Sequence, residues 1–361
     1  MIGRAVAAVA FFLCLVQTCA AQEVLRVAVY DAELRRNGPG LLLMDIRDGD
    51  AQVEAVAQVI AEARPDVLAL LSFDWDHEGR ALDAFARRLA AAGMAYPHRF
   101  AARPNSGLAT GLDMDGNGRT GEAGDAQGYG DFTGQSGLAV LSVYPIVTER
   151  VQDFTDLLWR DLPGALLPQH PDGGVYPSDA AMAVQRLSST AHWAVPVALH
   201  GGTEMVLMTF HASPPVFDGP EDRNGRRNHD EVLFWRHYLD GAFGPAPAGR
   251  YVLAGGANLD PFDSDGRREA IRALLEDPRF VDTGPESIGA TEGGREAHRG
   301  PQAQDTVEWS FGRLRVDYVL PSPDWEVLGS GVFWPGAGDP MGEVAAEASR
   351  HRLVWVDLAL P

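Results

Sequence analysis

Cysteine is nearly absent from this chain: Cys14 and Cys19 are its two cysteines, and both fall within the first 21 residues. Lysine is missing altogether, so every basic side chain apart from histidine is an arginine. Positive charge is scarce in any form, since 50 acidic groups against 30 basic ones leave a formal charge of −20. A chain so acidic has no electrostatic footprint for tight binding to duplex DNA, although a local arginine patch still suits a phosphate. Past residue 21 there is no apolar run long enough to span a bilayer, and nothing has the form of a dinucleotide fingerprint or a P-loop.

What is present first is an export signature. Arg4 supplies a charged start, Ala5 to Val16 an apolar core, and Cys19-Ala20-Ala21 a small-residue cleavage site. Residues 1–21 therefore read as a signal peptide, and residues 22–361 as one domain. Val16-Gln17-Thr18 is a poor approach to lipidation at Cys19. Because both cysteines belong to the leader, the mature chain has neither a disulfide nor thiol chemistry, in spite of an exported destination. Apolar content of 45% and charged content of 22% are ordinary for a globular protein with a sizeable core.

The body of the chain alternates strands and helices. Glu23 to Tyr30 reads as a strand ending at Asp31. Ala51 to Ala63 carries Val53, Val56, Ala57, Val59 and Ile60 at helical spacing and stops before Pro65. Val67 to Leu71 is a buried strand, followed by the acidic run Ser72 to Glu78. A helix over 80–92 comes next, then a Gly/Asp/Asn-rich stretch over 103–135 that reads as a long surface loop. Strands are predicted at 138–142, 195–199, 205–210, 314–320 and 353–358, with helices at 230–239 and 267–275. No repeat and no clear linker interrupts them.

The stretch around which the rest is organised is Tyr251 to Asp260, Tyr-Val-Leu-Ala-Gly-Gly-Ala-Asn-Leu-Asp. An apolar run of strand length halts at two glycines and presents Asn258 and Asp260 just beyond, a common way to place polar groups on a loop. Other strand ends carry Asp31, the Ser72 to Asp76 run, His211 and Asp317, and His351 stands just before the last strand.

Taken in order, these segments read Tyr30-Asp31, Leu71-Ser72, Leu141-Ser-Val-Tyr-Pro-Ile146, Thr209-Phe210-His211, Gly255-Gly256-Ala257-Asn258, Arg315-Val316-Asp317-Tyr318 and Ser349-Arg350-His351. The set resembles the endonuclease/exonuclease/phosphatase superfamily, with its DNase I-like fold, over roughly residues 24–358. The resemblance implies an α+β four-layer α/β/β/α sandwich, two mixed sheets packed face to face with helices outside and the site at one end. It also implies hydrolysis of a phosphoester substrate with a divalent metal, usually Mg2+. Such a cation offsets charge on the phosphorus oxygens. His351 paired with Asp317 would serve as acid or electrostatic partner, Asn258 would bond the water or a phosphate oxygen, and His211 would contact the phosphate.

The departures from that pattern matter equally. The superfamily's metal-binding Glu falls on Ser72, its water-orienting Asp on Gly256, and the Asp before its last His on Arg350. Asp31 stands for the first-strand Asn and is a competent ligand. Asp74, two residues after Ser72 and on the same side of an extended strand, is the candidate second metal ligand with Asp31; a loop or N-cap cluster is the competing reading. Arg350, Arg186 and Arg227 are candidate phosphate contacts. Two functions remain open: an exported metal-dependent phosphoester hydrolase with an atypical site, or a non-catalytic phosphate- or anion-binding protein on the same scaffold.

Asp113-Met-Asp115-Gly-Asn117-Gly118 has the alternating oxygen ligands of a Ca2+ loop. Its twelfth position is Gly124 where a Glu belongs, so an Asx-rich turn competes with calcium binding.

Overall fold

The computed structural model describes residues 23–292 and 298–360. The leader at 1–21, with Cys14 and Cys19, lies outside the described residues, as does part of the glycine-rich stretch after Gly284.

In chain order the first half runs β1 (Val24–Asp31), α1 (Leu41–Asp48), α2 (Ala51–Ala63), β2 (Val67–Phe73), α3 (Arg80–Ala91), β3 (His98–Phe100) and β4 (Gly137–Ser142). Next come β5 (Gln152–Asp153), α4 (Asp179–Val184), β6 (His192–Ala198), β7 (Glu204–His211), α5 (Arg223–Leu239), β8 (Tyr251–Gly256), α6 (Glu269–Leu275) and α7 (Ile288–Thr291). The chain finishes with β9 (Val307–Trp309), β10 (Gly312–Leu314), β11 (Asp317–Pro321), β12 (Val327–Val332), α8 (Pro340–Ala348) and β13 (Val354–Ala359).

One sheet has the order β12-β13-β1-β2-β4-β3 and the other β11-β8-β7-β6-β5, with β9 and β10 forming a separate hairpin. Both sheets are mixed: β1 is parallel to β2 and antiparallel to β13, and β7 is parallel to β8 and antiparallel to β6. Alternation along each strand sorts side chains into layers. Val27 and Val29 on β1, Val67 and Leu71 on β2, Leu207 on β7 and Val252 on β8 meet between the sheets. Ala28, Tyr30, Leu68 and Leu70 face the opposite way, onto α1, α2, α3 and α8. On the far side of the second sheet, Met208, Phe210 and Leu253 pack on Val232, Phe234, Trp235 and Ile271 of α5 and α6. The result is the expected α/β/β/α sandwich.

Local chemistry sets the boundaries. Asp50 caps α2 by accepting from Val53 N, and Arg64 in the left-handed region closes it before Pro65. The helix expected at 230–239 begins earlier, at Arg223. Its first turns bury Gly225, Arg227, Asn228, Asp230 and Glu231, and a buried face made of polar groups gives no hydrophobic periodicity to read. The expected strand 314–320 is two elements, β10 and β11, separated by Arg315 and Val316. The 103–135 stretch is less superficial than its composition implies. Asn105 is fully buried and its amide donates to Thr155 O at 2.6 Å and Ser188 O at 2.8 Å. Among the described residues no helix is long and apolar enough to cross a membrane.

Candidate active site

Strand register builds the site. Gly256 at the end of β8 is paired with His211 on β7 and with Asp317 on β11, so those three positions lie side by side across the sheet. From the other sheet, Asp31 ends β1 opposite Leu71 on β2. His351 arrives just ahead of β13, bridged to Val307 of the β9–β10 hairpin. Packing the two sheets face to face brings these ends together.

Asp31 is the centre of the group. It is buried, and its Oδ2 lies 3.4 Å from His211 Nε2 and 3.9 Å from His351 Nε2. Its Oδ1 accepts from Glu33 N at 3.2 Å, and the Ser72 hydroxyl is a further hydrogen-bond partner. Burial alone would raise this carboxyl, but the two imidazoles and these hydrogen bonds bring it below the usual range. His351 Nδ1 bonds Asp317 Oδ2 at 2.8 Å. Burial opposes charge on that imidazole, yet Asp317 and Asp31 together push it up to about 9, so His351 is held protonated at neutral pH. Trp309 closes one side, edge-on to His351 with centroids 5.6 Å apart.

Asn258 has a left-handed backbone (φ 50°), which turns its amide back toward β7: Nδ2 lies 2.8 Å from Ala212 O and 3.2 Å from His211 Nε2. Ser72 is left-handed too (φ 53°), so β2 turns at the position whose side chain meets Asp31. His211, Asn258, Asp317, His351 and Asp31 are thus brought together.

The remaining candidates are placed differently. Asp74 is buried and clamps two loops, accepting from Arg36 N at 2.8 Å and Ser136 N at 2.9 Å. Burial pushes its carboxyl up to about 6. Asp76 accepts from the amides of Glu78, Arg80 and Ala81 ahead of α3, the capping alternative for that acidic run. Asp260 is engaged by the amides of Phe262, Asp263 and Arg315. Arg227 is buried, and its guanidinium donates to the carbonyls of Gln127, Arg186, Leu187 and Ser188 rather than standing open to a ligand. Arg186 donates to Asn105 Oδ1 at 2.8 Å and ion-pairs with Asp156. Arg350 is closed on Glu33, with both its backbone N and its Nε at 3.0 Å from that carboxylate and Nη2 on the same group.

Sequence reasoning gave no role to Glu33, Thr306 or Ser349, the last quoted only within the segment Ser349-Arg350-His351. Glu33 sits two residues beyond Asp31, a spacing that could have flagged it. Thr306 donates to Asp317 Oδ2 at 2.9 Å and accepts from Val316 N and Asp317 N. Ser349 Oγ donates to Asp31 O at 2.8 Å. Thr306 has no sequence signal, and the motif around Ser349 does not show its bond to Asp31, since each acts through a contact made only in three dimensions.

A chain segment from residue 37 to residue 351 matches the Endonuclease/Exonuclease/phosphatase family, and the chain belongs to that family. No curated protein matches it in sequence. Among solved structures it is similar to an endonuclease/exonuclease/phosphatase from Beutenbergia cavernae, at 19% identity and TM-score 0.54, covering 93% of this chain and 72% of that one. It is also similar to a family protein from Leptotrichia buccalis, at 13% identity and TM-score 0.51, covering 93% of this chain and 100% of that one. The human Nocturnin catalytic domain with bound sulfate anion shares 12% identity at TM-score 0.50, covering 94% of this chain and 95% of the other. These likenesses show the DNase I-like fold.

Enzymes of this family commonly use divalent metals, and the donors can be tested for fit. Magnesium requires carboxylates of its own beside its waters. Here Asp74 is engaged by amides, Glu33 by Arg350, and Asp317 gives Oδ2 to His351 and Thr306 and keeps only Oδ1 without a partner among the described residues, while Asp31 has both imidazoles directed at it. The donor set around Asp31 does not fit a magnesium ion. Among the described residues, the set of three acidic or histidine ligand atoms lying within 4.8 Å of one another is elsewhere: Asp113, Asp115 and Asp125. That acidic cluster can hold a metal. Asn117, the third residue in the sequence expectation, turns its amide onto Asp115 and Glu122, and Asp125 joins instead.

Proposed function

We propose that this chain binds a phosphoester and hydrolyses it. One observation carries the reading: polar groups from separate strand ends converge so that two imidazoles, His211 and His351, lie 3.4 and 3.9 Å from the same Asp31 oxygen. A protonated imidazole backed by a carboxylate is suited to meet a phosphate oxygen and to give a proton to a leaving group. Asn258, held against Ala212 O, supplies an amide beside His211. A second reading, a non-catalytic binder of phosphate or a similar anion, is favoured by Gly256 and Ser72, which stand where the family has a water-orienting and a metal-binding carboxylate.

Purified mature protein assayed on bis(p-nitrophenyl) phosphate separates the two. Turnover that is lost in His351→Asn supports the hydrolase. Calorimetric binding of inorganic phosphate without turnover supports the binder. The overall charge of −20 disfavours tight duplex DNA as the substrate.

Export and calcium binding belong to the same proposal. Export through cleavage after Ala21 is read by sequencing the N-terminus of protein recovered outside the cytoplasm. Calcium at Asp113, Asp115 and Asp125 has a structural role on the 103–135 stretch, where Asp125 is buried and already ties Met114 N and Glu122 N at 2.9 and 3.0 Å.

A further inference from the structure

Resting on the phosphoester reading above, we propose that this site works with two histidines and no metal ion: His211 accepts the proton of the attacking water and His351 supplies a proton to the departing oxygen. Three positions support this, each one where the family resemblance expects a carboxylate and this chain has none.

Gly256 lies in register between His211 and Asp317. A Cβ at 256 would come within 2.9 Å of His211 Cδ2 and 3.0 Å of Leu71 Cδ1, closer than comfortable carbon contacts. The imidazole therefore occupies ground that a side chain at 256 would need, and from there it reaches Asp31 and Asn258. That spot is also 3.5 Å from Asp317 Oδ1, a buried oxygen with no hydrogen-bond partner among the described residues. A second carboxylate there would face it charge against charge.

Ser72 is the second position. It offers Asp31 a neutral hydroxyl, which leaves Asp31 as a counter-ion for imidazoles rather than half of a carboxylate pair. Arg350 is the third. Its guanidinium closes on Glu33, the next carboxylate along the chain, and removes it as a cation ligand. Each change subtracts a metal donor or a water-activating carboxylate, and together they leave two imidazoles around one buried anion.

The chemistry balances with water as the only co-reactant. A water oxygen forms a bond to phosphorus as the bond from phosphorus to the leaving oxygen breaks. The water's proton passes to His211, and the proton of His351 passes to the leaving oxygen, giving an alcohol or phenol and the hydrolysed phosphate. Exchange with solvent resets both rings. Asp317, bonded to Nδ1 of His351, fixes that ring so that Nε2 faces the Asp31 side.

The test uses metal-stripped full-length mature protein and bis(p-nitrophenyl) phosphate, with EDTA and then with excess Mg2+. The expected result is a rate unchanged by EDTA and lowered about 10²-fold or more in His211→Asn and in His351→Asn. Added imidazole should restore turnover to His211→Ala, a control that a merely misfolded variant fails. Gly256→Asp should lower the rate by displacing the His211 ring. Activity that EDTA abolishes and Mg2+ restores overturns the two-histidine site while leaving the phosphoester reading standing. A rate that rises in Gly256→Asp overturns it as well. Absence of turnover in every arm, with inorganic phosphate still binding by calorimetry, removes the hydrolase reading and this proposal together.

Discussion

His351 stands between two carboxylates on opposite sheets: Nδ1 bonds Asp317 at 2.8 Å, and Nε2 faces Asp31 at 3.9 Å. This arrangement ties the site to the stability of the sandwich. The imidazole's affinity for its proton is raised on folding, to about 9 from an ordinary value of 6.5. A group raised in this way contributes stability that is fully present below the unfolded pKa and is lost as pH climbs through the folded one. The melting temperature should therefore fall between about pH 6.5 and pH 9. His351→Asn should flatten that slope; a slope identical in the variant would rule the linkage out.

Asp74 gives a contrasting case. It joins the turn after β2 to Arg36 N and Ser136 N, so Asp74→Ala leaves two amides without their acceptor. The expected cost is about 2 kcal/mol, within the usual range for buried polar groups losing a partner. Chemical denaturation measures it. Magnesium titrated into the variant and the parent should give the same isotherm; weakened binding in the variant would return Asp74 to the ligands.

Arg227 and Arg350 should separate structure from recognition. Arg227→Met removes the donor to buried carbonyls of Gln127, Arg186, Leu187 and Ser188, and a loss of roughly 3 kcal/mol or more is expected. Arg350→Ala acts at an exposed side chain already closed on Glu33. Phosphate affinity measured by calorimetry should stay within about twofold, because one charge-assisted contact would be worth more than that. A tenfold loss would show that Arg350 leaves Glu33 to grip the ligand.

The acidic loop is tested by heat. Calcium at about ten times its dissociation constant should stabilise the fold by about 1.4 kcal/mol, seen as a rise of a few degrees in melting temperature. Asp113→Asn combined with Asp115→Asn should abolish the rise. An equal rise in the double variant would place the ion elsewhere.

How much of this was legible beforehand depends on the kind of signal. Helix α2 has apolar residues at regular spacing, an aspartate cap and a following proline, all local, and its bounds could be read directly. The start of α5 could not, because its buried face consists of Arg227, Asn228, Asp230 and Glu231, whose burial depends on partners brought from other segments. At the site the ordered motifs gave His211, Asn258, Asp317 and His351, since strand ends keep their order whatever the loops do. They could not show that Arg350 would turn to Glu33, nor that Thr306 would hold Asp317.

The order of strands and the residue types at the strand ends follow from the chain alone, because alternation and turn chemistry are local properties, and the sandwich was expected only through the family resemblance that those ordered segments carry. Which of the acidic groups stay free, and which are tied by an amide, an arginine or an imidazole, was decided only when the two sheets packed. The pairings that shape the site join residues distant in sequence, as Asp31 to His351 and Arg350 to Glu33, and are fixed by distances of a few ångströms that no spacing along the chain encodes.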